Sequence, residues 1–211
     1  MSVQHDIARR VAGHLRDGEV VNLGIGIPTL VADFLDAGSG VVLQTENGML
    51  GVGPAPADGE ADAALVNAGK LPITALPGAS FFSSSVSFGL IRGGHVTTSV
   101  LGALQVDTRG RIANWALPGR PILGVGGAMD LLVGARRVIA ATTHLTKDGE
   151  PKLVADCTLP LTAERPVDLV VTEAATFALR DGGLVLIEVA ASSDREWIAA
   201  HTAAPYADDL S

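Results

Sequence analysis

The sequence contains a single cysteine, Cys157, so an internal disulfide framework is excluded and a reducing compartment, the cytoplasm, is expected. Aromatic residues amount to only 4%, which leaves Ala, Val, Leu and Ile to build the core. No dense Lys/Arg run occurs, and the formal net charge is −8. That balance argues against a nucleic-acid or anionic-membrane surface. The stretch MSVQHDIARRVAGHLRDGE alternates charged and apolar residues and shows no signal-peptide hydrophobic region. Residues 71–91 carry no charge, but two prolines, two glycines and five serines make them a poor spanning helix. They are expected to form a buried loop-and-helix segment.

Several chemical signatures are missing too. HExxH and CxxC do not occur, so there is no zinc motif and no metal site is expected. GxGxxG and GxxxxGK[ST] are absent, as is the GxSxG of serine hydrolases. What is present is 47% hydrophobic residues with 25 glycines in 211 residues, a composition that suits buried parallel strands. No linker divides the chain. One three-layer α/β domain over residues 1–211, with a mostly parallel sheet, is the expected architecture.

Val3, Ile7, Val11 and Leu15 recur every four residues and predict an amphipathic helix ending near Asp17-Gly18. EVVNLG reads as a buried strand, followed by the glycine turn GIGIP and a helix over TLVADFLDAG, with Pro28 tolerated in its first turn. VVLQT is a second strand, and a loop follows it. ADAALVNAG is ambiguous, LPITAL is strand-like before a turn at PGAS, and SFFSSSVSFGLIRGG predicts a helix ending at Gly93-Gly94. HVTTSVLGALQV reads as a strand, with a hairpin at DTRG leading into RIANW. GVGGAMDLLVGA repeats the strand, glycine turn and helix pattern. RRVIAATTHL, VDLVVTE and GLVLIEVA are further strands, and Ser193 with Glu196 has capping-box spacing for a last helix.

Glu46 stands at the end of VVLQT, immediately before a glycine- and proline-rich stretch. In open α/β sheets ligands bind at the carboxyl ends of the strands, where helix starts expose N–H groups. A carboxylate facing such donors is suited to nucleophilic acyl chemistry: it attacks, and the amides hold the oxyanion. The residues alone leave another reading open, in which Glu46 is solvated or caps a loop and the glycines merely turn the chain. His95 and His144 lie in strand-like contexts and read as satisfied core or edge residues rather than bases.

NLGIGIPTLVADFL, QTENGMLGVGP, LPGASFFSSSVSFGLIRGGH, LGALQVDTRGRIANWALPG, GVGGAMDL and CTLPLT, in this order, resemble the β subunit of class I CoA-transferases. These are the succinyl-CoA:3-oxoacid and 3-oxoadipate CoA-transferases. The resemblance covers nearly the whole chain and implies the CoA-transferase (NagB/RpiA-like) fold. It implies that Glu46 is the nucleophile of a ping-pong transfer through a glutamyl-CoA thioester, with Thr45 in place of the family's serine. Gly126 and Gly127 become candidates for oxyanion or CoA binding, and Gly24, Gly26, Asn47 and Asn114 for substrate contacts. A closed, water-poor pocket built from GMLGVGP and GASFF would protect the intermediates. Coenzyme A enters as a thioester substrate, with no permanently bound cofactor. An α-type partner subunit, in an α2β2 heterotetramer, is implied. An acyl-CoA hydrolase on the same scaffold and a non-catalytic metabolite-binding module are the alternatives. Arg92 is a candidate for holding a second carboxylate, or else forms an ordinary ion pair.

Overall fold

The apolar stripe at the start of the sequence does form a helix, α1 (Val3–Gly13), which buries Ile7, Ala8 and Val11. The computed structural model describes residues 2–36, 38–119 and 124–210. After α1 come β1 (Val20–Leu23), a 3-10 helix (Ile27–Phe34), β2 (Val42–Thr45), β3 (Met49–Val52), β4 (Ala75–Phe81) and α2 (Ser84–Arg92). Next are β5 (Thr98–Gly102), β6 (Gln105–Asp107), β7 (Ile112–Ala113), α3 (Ala128–Gly134) and β8 (Arg137–Ala141). β9 (Leu153–Val154), β10 (Leu169–Val171), β11 (Ala175–Arg180), β12 (Gly183–Val189), α4 (Arg195–His201) and β13 (Tyr206–Asp208) follow.

Ten of these strands form one sheet in the order β13-β12-β11-β10-β8-β5-β1-β2-β3-β4. Its centre, β10-β8-β5-β1-β2, is parallel throughout. The neighbours on either side, β11 and β12 at one margin and β3 and β4 at the other, join antiparallel. Both faces of the centre are buried, and successive residues alternate between them. Val100, Ile139 and Val171 pack with α1 and the 3-10 helix. Leu101, Val138, Ala140 and Val170 pack with Ile91 of α2, Leu131 and Leu132 of α3, and Val106, Ile112 and Leu153 of a small sheet, β7-β6-β9. The three-layer α/β architecture expected from composition is therefore observed.

Local expectations fare unevenly. TLVADFLDAG yields a 3-10 helix that ends at Phe34, preceded by Gly26 at φ 93°; Ala37 lies outside the described residues. HVTTSVLGALQV is not one strand: the chain leaves the large sheet after Gly102 and enters the small one at Gln105. ADAALVNAG forms neither helix nor strand, although an isolated bridge ties Val66 to Pro72. Residues 71–81 are mostly exposed, with Ile73 alone buried. PGAS does not end the strand: it lies within β4, the outermost strand among the described residues, where the register against β3 shifts and Gly78 adopts a φ of 85°. Met49–Val52 is a strand where a loop was expected. Any strand leading into GVGG would fall on 120–123, outside the described residues.

The helix α2 ends at Gly93 as expected, and Ser83 caps its start by accepting from the Val86 N–H. DTRG closes the hairpin between β6 and β7, where the buried Asp107 carboxylate accepts from the Arg109 and Arg111 N–H groups. At the last helix the capping box fails. Asp194 is the cap, accepting from the Trp197 N–H at 2.7 Å, and the Ser193 hydroxyl is buried with no partner among the described residues. The ionised side chain one residue later is the stronger acceptor for the helix's free donors.

Candidate active site

The parallel strands β1, β2 and β5 end on one edge of the sheet, and Glu46 stands on that edge. Thr45 pairs with Met49 across β2 and β3, so Glu46, Asn47 and Gly48 form the turn between the two strands. Gly48 donates its N–H to the Thr45 carbonyl at 3.0 Å and adopts a φ of 128°. A side chain there would also collide with the Phe82 carbonyl. Gly48→Ala is therefore expected to destabilise the protein by roughly 2 kcal/mol or more, seen as a lower urea midpoint at unchanged slope.

The side chains flanking Glu46 are committed to holding this turn. The Thr45 hydroxyl donates to Asn47 Oδ1 at 2.6 Å and accepts from the Ala68 N–H at 3.1 Å. Asn47 Nδ2 donates to the Val66 carbonyl at 2.8 Å. Beneath them Gln44 donates to the Ser87 hydroxyl at 2.8 Å and to the Thr45 carbonyl at 3.0 Å, and Asn22 donates to Gln44 Oε1 at 2.7 Å. Asn22, Gln44 and Ser87 are buried, so the network locks the end of β2 with little freedom left. Sequence reasoning missed these supports; the signal was an amide inside each of the apolar strands VVNLG and VVLQT.

Gly127 meets the carboxylate itself. A Cβ built on Gly127 would lie 2.6 Å from Glu46 Oε2 and 3.0 Å from Oε1, so the glycine α-carbon packs directly against the carboxylate. Gly127 sits at the start of α3, after Gly124 at φ 93° and Gly126 at φ 55°. Among the described residues the Gly126 and Gly127 N–H groups have no acceptor, and the Glu46 carboxylate has no hydrogen-bond partner. Burial, and secondarily the Asp130 carboxylate, push Glu46 above the ordinary carboxylate range. A half-buried, unpaired carboxylate of raised basicity beside unused backbone donors is equipped to attack a carbonyl carbon.

The other expected residues are placed differently. Gly24 donates its N–H to the Val100 carbonyl at 2.9 Å, and a Cβ there would stand 3.0 Å from that oxygen, so it serves close approach of β1 to β5. Gly26 faces open space. The side chain of Asn47 is engaged within the turn, as described. Asn114 follows β7, in the small sheet, and accepts from the Thr162 hydroxyl at 2.7 Å; no contact joins it to Glu46. Arg92 forms an ion pair with Asp130, Nε to Oδ1 at 2.7 Å. The segments GMLGVGP and GASFF pair as β3 and β4; Val52, Gly53 and Pro54 line a cavity that does not include Glu46, and Phe81 is 61% exposed on the outer edge.

Competing groups are disposed of by geometry. His144 is fully buried between the Thr172 and Thr202 hydroxyls, and burial pushes its pKa down to about 4, a neutral core residue. The Cys157 thiol is pushed up to about 11 by burial and by Asp107, so it stays protonated at neutral pH. Among the described residues no cluster of His, Cys, Asp and Glu could hold a metal ion, and no helix is long and apolar enough to cross a membrane. A cavity of about 680 Å³ between the 3-10 helix and residues 53–73 reaches Thr45, but Glu46 does not line it.

Known proteins share this arrangement of sequence and fold. The β subunit of the acetate CoA-transferase of Escherichia coli is 50% identical over 206 residues, 98% of this chain and 94% of that protein. The matching subunit of the Helicobacter pylori succinyl-CoA:3-ketoacid coenzyme A transferase is 47% identical over 183 residues, covering 87% of this chain and 88% of that one. The crystal structure of an acyl-CoA transferase apoenzyme from Escherichia coli O157:H7 superposes with a TM-score of 0.77 at 23% identity. It matches 99% of this chain, which spans 42% of that longer one. The coenzyme A transferase family model matches residues 4–190, and the chain belongs to that family.

Proposed function

We propose that this chain is the nucleophile-bearing half of a two-subunit CoA-transferase that moves CoA from succinyl-CoA to a short 3-oxoacid through a glutamyl-CoA thioester. The observation that carries the reading is the contact between the Glu46 carboxylate and Gly127, on a turn whose other side chains are engaged elsewhere.

In the first step a Glu46 carboxylate oxygen attacks the thioester carbonyl. The C–S bond breaks, CoA leaves as its thiolate, and an acyl-glutamyl anhydride remains. The thiolate then attacks the glutamyl carbonyl, the anhydride C–O bond breaks, the donor acid departs as a carboxylate, and CoA stays joined to Glu46. An acceptor carboxylate runs the two steps in reverse. Both attacks pass through a tetrahedral oxyanion, for which the N–H groups of Gly126 and Gly127, without an acceptor among the described residues, are the assigned donors. The raised basicity of Glu46 favours attack, since a carboxylate that holds its proton more tightly is also the better nucleophile.

A dicarboxylate acceptor such as 3-oxoadipate needs a second counterion, and Arg92 is already paired with Asp130. Acetoacetate is therefore the preferred acceptor. Partner dependence follows from the surface. Phe81, Val86, Met129 and Val133, on the elements that carry or adjoin the site, are 61%, 50%, 46% and 57% exposed. An α-type subunit, in a 2:2 assembly, would cover them and exclude water from the intermediates.

The test uses the complex of this chain with its partner subunit. With succinyl-CoA and acetoacetate, acetoacetyl-CoA should form with ping-pong kinetics, and succinyl-CoA should not be consumed catalytically when the acceptor is omitted. Continuous release of free CoA without acceptor would instead identify a hydrolase.

A further inference from the structure

The ion pair between Arg92 and Asp130 has no part in the transfer chemistry above, yet it is anchored on α3, the helix whose start meets Glu46. It joins the last residue of α2 to the first turn of α3, with Arg92 67% exposed and Asp130 28% exposed. The same guanidinium lies 5.8 Å from the Phe88 ring centroid, which restricts it further. The two helices are in backbone contact here, because a Cβ at Gly134 would collide with the Ile91 carbonyl. Leu131 and Leu132 root α3 in the core. Asp130 follows Gly127 by one helical turn, so both project from the same side of α3, and Gly127 is the residue that presses on Glu46.

Resting on the reading of Glu46 as nucleophile, we propose that the Arg92–Asp130 pair is a positioning device: it fixes the start of α3 against Glu46, and the balance of its two charges sets how readily that carboxylate attacks. Asp130 is the charged group acting on Glu46 from α3, and its effect is to disfavour the ionised form. Arg92, at the end of α2, masks part of that effect through the ion pair. The flanking turn adds Asn47 and Gly48, and the end of β4 with the residue after it adds Phe81 and Phe82, none of them charged, while the 66–70 segment bonded to the turn brings Lys70. The pair thus ties the seating of α3 against Glu46 to the charge that stands on that helix.

The experiment follows Glu46 adduct formation from succinyl-CoA in the assembled complex, in single turnovers across the acid range, by intact mass. Asp130→Asn removes a like charge, so the acid limb should move to lower pH by roughly 0.3 to 1 pH unit. Arg92→Gln unmasks Asp130 and should move the limb the other way by a comparable amount. Arg92→Glu, at the same exposed position, should move it further and keeps the test decisive if Asp130→Asn folds poorly. A merely structural role would lower the rate at every pH and leave the limb in place; that result, or displacement of the Asp130 and Arg92 variants in the same direction, overturns the proposal. A parent complex that forms no adduct on Glu46 overturns the nucleophile reading and this inference with it. An adduct in the parent with unmoved limbs in the variants overturns this inference alone.

Discussion

Gly127→Ala is expected to lower turnover by about 100-fold or more while leaving the melting temperature close to that of the parent. The added methyl would fall 2.6 Å from Glu46 Oε2, so the carboxylate must leave its place. A carboxylate is the far end of a flexible side chain, and it moves without disturbing the core. The backbone at Gly127 has φ −76°, which alanine adopts freely, so stability should stay within about 1 kcal/mol of the parent. Displacement of a reacting atom by an ångström is enough to cost two orders of magnitude in rate. Gly48 is the contrast, since there the obstacle is the Phe82 carbonyl and φ is 128°, and stability falls as well. Thermal melts and steady-state transfer rates, measured together on both variants, separate a glycine needed by the reaction from one needed by the turn.

Glu46→Gln is expected to abolish transfer, by about 10,000-fold or more, and at the same time to stabilise the protein slightly at neutral pH. Glutamine keeps the shape but offers no carboxylate oxygen to attack a thioester. The stability effect follows from linkage. Burial and Asp130 raise the pKa of Glu46 in the folded state above its unfolded value. Its contribution to stability is fully present below the unfolded value and is lost as pH rises through the raised folded value. Ionising Glu46 in the folded protein therefore carries a net desolvation cost, and Gln removes that cost. The gain in melting temperature should shrink toward zero as the pH falls through the acid range, where the parent's Glu46 is protonated.

The layer architecture was legible because Val100 and Leu101 of β5, residues 138–141 of β8 and Leu169–Val171 of β10 are apolar runs whose alternate residues fill both faces, which composition and pattern register directly. Resemblance places the nucleophile at the end of a strand, and the structure puts Glu46 on the turn that ends β2. Pattern reads the β3 strand beyond it as a loop, although Asn47-Gly48 is itself a strong hairpin signal. Glycine and proline in GMLGVGP outweigh it. At residues 71–91 the absence of charge suggests burial, yet β4 is a sheet margin on which Leu76 and Phe81 are exposed, and a local pattern cannot distinguish a buried apolar segment from an exposed one.

Gly127 was legible as a candidate only through its motif. Its contact with Glu46 joins residues 81 positions apart, beyond the reach of any periodicity. Asn47 and Asn114, named as substrate contacts, also hold the turn and the Thr162 loop, local roles that no sequence pattern indicated. Arg92 resolves in favour of its ion-pair reading, with a partner thirty-eight residues away that no sequence pattern indicated.

The central claim is that Glu46 forms a covalent bond to CoA. Incubating the complex of this chain and its partner with succinyl-CoA, without acceptor, and recording the intact mass of each subunit tests it most directly. A CoA-sized addition on this chain, absent in Glu46→Gln and discharged by acetoacetate, is the expected result. An unmodified chain in a complex that still transfers CoA, or an adduct that persists in Glu46→Gln, would contradict it.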